Sequence, residues 1–111
     1  MAAGDRTEKR LDGPAEMPTS NGTLATVPAD RQWTLKQVVF TNTGGAEALI
    51  YLAIGTAATA SNRVLSALPI AAYDTIVWDT ALVLEAAETL QGYADRAGVN
   101  CTIMGWEKET A

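Results

Sequence analysis

The sequence predicts an all-β chain, a single antiparallel β-sandwich of jelly-roll or immunoglobulin-like type with an extended N-terminal arm. Three observations predict it. From Gly22 onward, apolar and β-branched runs of about five to nine residues recur between turn clusters, at intervals of about 10 to 15 residues. Most of these runs alternate with period two, as side chains do on a strand, and not with the 3.6 of a helix. Finally, 111 residues with 48% hydrophobic and 19% charged side chains suit one compact domain and leave no room for a catalytic domain plus a binding domain.

Residues 1–21 read as the arm, and residues 22–111 as the sandwich domain. The charged stretch from Gly4 to Arg10 gives way to Gly13, Pro14 and Pro18 and ends in the turn cluster Thr19-Ser20-Asn21-Gly22. Leu11 and Met17 are its only sizeable apolar groups beyond the first residue. They are too few to offset an ordering cost of about 1 to 2 kcal/mol per residue unless the arm lies on another surface. Leu11, Pro14, Met17 and Pro18 are therefore the candidate partner-binding residues of the arm.

The first strand of the body, Gly22 to Val27, stops at Pro28, which cannot donate to a ladder. Trp33 to Thr41 is the second. Trp33, Leu35, Val38 and Phe40 share one face only if a bulge falls near Lys36-Gln37. Thr41-Asn42-Thr43-Gly44-Gly45 predicts a tight hairpin, because adjacent glycines supply positive φ angles. The strand beyond it, Ala46 to Ile54, is apolar on both faces and needs cover from the domain or from a neighbouring subunit. From Gly55 to Ala72 the pattern loosens; Val64, Leu65 and Leu68 have helical spacing before Pro69, so a helical turn or a structured loop is expected. Strand pattern resumes at Tyr73 to Thr80 and Ala81 to Leu84, reverses at Glu85-Ala86-Ala87-Glu88, and continues over Thr89 to Ala94. After the turn Asp95-Arg96-Ala97-Gly98 comes the last strand, Val99 to Lys108.

Composition narrows the chemistry. Eight Lys and Arg against 13 Asp and Glu give a net charge of -5, so no basic field is available to neutralise phosphates and nucleic acid is not an expected partner. With no His and a single Cys, Cys101, the inventory lacks the residues for zinc sites, Ser-His-Asp triads, Cys-His dyads and internal disulfides. Asp74, Asp79, Glu85 and Glu88 read as solvated strand ends and turns rather than a paired-carboxylate active site. Asp74, Asp79 and Asp95 do not form a calcium loop. No catalytic, cofactor-binding or metal-binding residue is expected. The start lacks an apolar signal core, and the longest apolar run, Ala48 to Ile54, is far short of the roughly 20 residues of a membrane span, so the expected site of synthesis is a cytoplasm and no membrane is a partner.

Trp33 and Trp78 lie in apolar strand contexts and are expected in the core or an interface, each indole N–H needing a partner. Trp106, beside Asn100 and Thr102 on one strand face, is the ring expected to be exposed. The two-faced strand, the small residues from Gly55 to Ala60 and the arm all suggest a subunit completed by its neighbours. Leu49, Tyr51 and Trp106 are the candidate interface residues.

The order of segments carries a resemblance. It runs from Arg10-Leu11-Asp12-Gly13-Pro14-Ala15 and Thr19-Ser20 to Leu24-Ala25-Thr26-Val27-Pro28-Ala29, and then to Trp33-Thr34-Leu35-Lys36-Gln37-Val38-Val39-Phe40-Thr41-Asn42-Thr43. Leu84-Glu85-Ala86-Ala87-Glu88-Thr89-Leu90 and Val99-Asn100-Cys101-Thr102-Ile103-Met104-Gly105-Trp106-Glu107 complete it. This pattern resembles small β-sandwich virion structural proteins of tailed bacteriophages, found as head decoration proteins and as tail or fibre components. Where that group has Gly then Asp in the late turn, this chain has Ala87 then Glu88.

The resemblance implies a non-enzymatic virion protein made in a bacterial host cytoplasm. First among the roles it implies is a capsid decoration (cement) subunit on the head shell. Its partners would be the major capsid protein or other virion proteins, with further copies of itself in a homo-oligomer. A tail, tail-tip or fibre-base component is the alternative within that class. From outside the class comes a carbohydrate-binding module acting through Trp106 or Tyr93.

Overall fold

The computed structural model describes residues 6–55 and 62–109. Eight strands follow in order: β1 (Arg6–Glu16), β2 (Gly22–Thr26), β3 (Arg31–Asn42), β4 (Ala48–Ile54), β5 (Arg63–Ile70), β6 (Thr75–Leu84), β7 (Thr89–Ala94) and β8 (Val99–Glu109). They form two four-stranded sheets, ordered β1-β8-β3-β6 and β2-β7-β4-β5, with every pairing antiparallel. Every connection except β4–β5 crosses from one sheet to the other. That order is the double Greek key of a jelly roll, and it decides between the two sandwich types the sequence allowed.

Period-two alternation places the core between the sheets. Trp33, Leu35, Val38 and Phe40 of β3 with Val99, Cys101 and Ile103 of β8 face Ala48, Ile50 and Leu52 of β4 with Leu90 and Ala94 of β7, all of them buried. The bulge expected near Lys36 is present. Leu35 pairs Gly105 and Gln37 pairs Met104, so Lys36 is the extra residue against β8, and Leu35 and Val38 both point inward. Gly105 lies opposite this irregularity, where a Cβ would collide with the Thr34 carbonyl oxygen. Trp33 is in the core, and its Nε1–H donates to Glu107 Oε2 at 2.9 Å.

The structure differs from the sequence reading at three elements. Thr41–Gly45 does not make a hairpin, because β3 and β4 belong to different sheets. The buried Asn42 fixes this crossing. Its Nδ2 donates to the carbonyls of Ala46 (2.8 Å), Ile70 (3.2 Å) and Ala71 (3.3 Å), and its Oδ1 accepts from Gly44 N–H. The expected helical turn or loop before Pro69 is strand β5. Ile50 pairs Leu68 and Leu52 pairs Leu65, so two residues of β4 span three of β5. That bulge, with Ala67 at φ 54°, produces the three-residue spacing that imitates a helix. Pro69 is accommodated because β5 is an edge strand. The run Thr56 to Ala60 and residues 1–5 of the arm lie outside the described residues.

The described part of the arm is strand β1, paired along β8 as an edge of the first sheet. Met17, just beyond it, is 2% exposed and donates its N–H to the Val99 carbonyl at 2.7 Å. The surface that compensates this segment's ordering cost is therefore a strand of its own chain.

Candidate functional site

The sequence-selected residues fall into three places. Of the arm residues, Met17 is core, Leu11 is half-buried against the core, Pro18 is half-buried with its carbonyl accepting from Ala94 N–H, and only Pro14 is exposed. Leu49 and Tyr51 lie on the outer face of the second sheet, where the Tyr51 ring stacks on Tyr93 at 4.5 Å and the Arg63 guanidinium sits 4.8 Å from the Tyr51 centroid. Trp106, the ring expected to be exposed, lies on the outer face of the first sheet but is half-buried there. Its Nε1–H donates to Glu8 Oε2 at 3.1 Å, across the β1–β8 pair, and Lys36 Nζ is 5.5 Å from its ring. Tyr51 and Trp106 thus occupy opposite faces of the sandwich and do not make one patch.

Three of the sequence-selected carboxylates lock a strand end or a turn, whereas Asp79, expected at a strand end, lies mid-strand in β6 opposite Gln37. Asp74 Oδ1 accepts from Thr75 N–H, Asp95 Oδ1 from Leu49 N–H, Glu88 Oε1 from Glu85 N–H, and Asp79 Oδ1 from Gln37 Nε2. Among the described residues no group of three or more His, Cys, Asp or Glu is placed to hold a metal, and no helix is long and apolar enough to cross a membrane. Burial pushes the Cys101 thiol up to about 12, with the Asp12 charge adding to the shift, so at neutral pH it is a core thiol and not a nucleophile. Glu107 is held below the ordinary glutamate range, first by the hydrogen bond from Trp33 and then by Lys9 and Arg31.

Two surface features stand out. Among the described residues, the large apolar side chains that are exposed, Tyr73 (77%), Val77 (50%) and Val83 (45%), all lie on β6 or in the turn leading into it. β6 is an edge strand with one charged residue, Asp79, and no proline. Period-two reading could have found Val77 and Val83 as an outward apolar row, but nothing in the sequence marks β6 as an edge. The second feature is an open depression of about 560 Å³ on the outer face of the first sheet. It is lined by Lys36, Gln37 and Asp79 together with Glu8 to Arg10 of β1 and Met104 to Trp106 of β8.

No family model matches the sequence, and no curated protein matches it. The fold does recur in solved structures. A chain of the T=1 particles derived from infectious bursal virus superposes with a TM-score of 0.59 at 10% identity, covering 95% of this chain and 31% of that one. A chain of the infectious bursal disease virus Gx strain does so at 0.52 and 10% identity, covering 95% and 32%. A chain of Bacillus endospore appendages, a family of disulfide-linked pili, superposes at 0.54 and 5% identity, covering 99% of this chain and 93% of that one. Identities at this level establish the fold alone. This chain spans about a third of the length of the viral chains and nearly all of the pilus chain.

Proposed function

We propose that the protein is a non-enzymatic structural subunit of a virion, acting as a decoration subunit that binds and reinforces the head shell. The observation that carries this reading is the jelly-roll strand order with 95% of the chain superposed on a chain of a viral T=1 particle. A carboxylate set committed to turns and an inert buried thiol support a role in assembly rather than in chemistry.

Contact with a neighbouring copy runs through the β6 edge in this reading. Strand edges that must stay monomeric carry charges and prolines, as β1 does with Glu8, Lys9, Arg10, Asp12 and Pro14. The β6 edge has Val77 and Val83 instead, and burying such groups against a second subunit is favourable by about 25 cal/mol per Å². Repetition over a lattice then multiplies weak contacts into a stable shell.

A fibre or tail component is the second reading, favoured by the pilus chain that matches this one nearly end to end. Quantitative mass spectrometry of purified particles separates the two. A copy number within a few-fold of the most abundant shell protein supports decoration, a handful of copies per particle supports the fibre or tail reading, and absence from particles overturns both.

A further inference from the structure

We propose that β6 is a self-pairing edge, on which a second copy of this chain docks antiparallel about a two-fold axis at Thr80. The inference rests on the reading that neighbouring copies meet along β6, but not on the particle in which they meet. Over its ten residues β6 keeps one alternation, with Thr75, Val77, Asp79, Ala81 and Val83 exposed and Ile76, Trp78 and Leu82 half-buried against the core. Both rows therefore still carry apolar surface that a further strand beside β6 would cover. The other three edges do not match it. β1 is charged, β2 has five residues and β5 carries Pro69, so β6 itself is the one long apolar edge a second copy can offer.

The order of residues along β6 selects the register. With the axis at Thr80, Val77 stands opposite Val83 of the second copy and Val83 opposite its Val77, while on the inner row Trp78 meets Leu82 and Ile76 meets Leu84. Asp79, the one charged residue of the strand, then faces Ala81 and not its own copy. Its Oδ1 also accepts from Gln37 Nε2 of β3 at 3.2 Å, which draws the carboxylate toward its own sheet and away from the free edge. Moving the axis to Asp79 sets the two carboxylates against each other, and moving it to Ala81 sets Val83 against Asp79 and Val77 against Glu85. Half-residue steps would put outer rows against inner ones. The ladder is broken at the axis, because Thr80 and Ala81 both lie between Leu82 and Asp79 where β3 has only Lys36, so the contact consists of two short apolar segments related by the two-fold. Such an isologous contact closes at two copies, and the resulting pair presents every other face of the chain twice.

Sedimentation of the isolated full chain from micromolar to millimolar concentration tests the pairing, and cysteine cross-linking tests its register. The mass is expected to rise toward that of two chains. Val77→Lys/Val83→Lys, which sets lysine against lysine twice, should weaken association by about tenfold or more, and Val77→Lys/Val83→Glu, which sets each lysine against a glutamate, should restore part of it. Directly opposed residues lie within disulfide reach, whereas Val77 is about 20 Å from Val77 of the second copy, six residues along the strand. Under mild oxidation by oxygen, Thr80→Cys alone and a mixture of Val77→Cys with Val83→Cys chains should therefore cross-link, and Val77→Cys or Val83→Cys alone should not. The native Cys101 is buried and gives no background. Circular dichroism and the thermal midpoint check that each variant folds. A chain that stays monomeric at millimolar concentration, association that the lysine pair leaves unchanged, or cross-linking of the single Val77→Cys or Val83→Cys chains as readily as of their mixture overturns the proposal. Because the isolated chain is used, pairing in this register by a protein absent from particles supports the proposal while overturning the virion reading, and a monomer abundant in particles does the reverse.

Discussion

Glu107 joins three elements through one carboxylate. It accepts from the Trp33 indole at 2.9 Å and from Lys9 at 3.2 Å, with Arg31 Nε 3.6 Å away, so β1, β3 and β8 meet on a single charge. Because its folded pKa lies below the unfolded value of about 4.5, the stabilisation is fully present above that value and is lost as pH falls through the folded one. Glu107→Gln is therefore expected to melt below the wild-type chain at pH 7, and the gap should narrow in strongly acidic buffer; thermal unfolding across pH checks this. Ala87 presents the opposite situation, a residue whose backbone is strained at φ 66°. The left-handed region costs an L-residue about 1 to 2 kcal/mol, part of which glycine gives back through its larger unfolded-state entropy. Ala87→Gly should therefore raise stability by up to about 1 kcal/mol, read as a higher denaturant midpoint.

Strand β1 shows how an element can be legible in shape and illegible in partner. Its composition reads as extended and poor in apolar groups, and it is extended; what sequence does not encode locally is that β8, some ninety residues later, supplies the pairing surface. Met17 then enters the core as one of its largest fully buried side chains. Met17→Ala is expected to cost about 2 to 5 kcal/mol, the range for emptying a buried site, and a chain lacking residues 1–20 should lose cooperative unfolding because β8 is left as an open edge. Urea unfolding followed by tryptophan fluorescence distinguishes both from the intact chain. The bulge at Lys36 was legible for a different reason: four apolar residues at 33, 35, 38 and 40 admit no single strand face without one extra residue. The same device in β5 was not legible, since Val64, Leu65 and Leu68 satisfy a helical turn equally well when no partner strand is in view. The candidate site divides likewise. Trp106 could be placed on an outward face from alternation alone, whereas its neighbours Glu8 and Lys36 come from strands distant in sequence.

At the scale of the whole molecule, the two sheets are closed against each other but their four edges are not equivalent. β1 is charged, β2 is five residues long, and β5 carries Pro69 and a bulge, each a known device against edge association. β6 is ten residues long and shares one such device, an irregularity where Leu35 and Gln37 pair Leu82 and Asp79, so the contact expected there is made by side chains and not by an uninterrupted backbone ladder. Val77 and Val83 flank this irregularity and remain about half exposed. Replacing both with lysine leaves the inner face untouched, because Ile76, Trp78, Leu82 and Leu84 keep the core side of the strand. Far-ultraviolet circular dichroism and the thermal midpoint should therefore stay near wild type. Two ammonium groups carried into a contact between subunits must lose their hydration there, which opposes association. The double variant is expected to reduce copies per particle by about tenfold when each contact is weak, measured by mass spectrometry against the shell protein. Unchanged occupancy by a folded Val77→Lys/Val83→Lys chain would move the assembly contact away from β6.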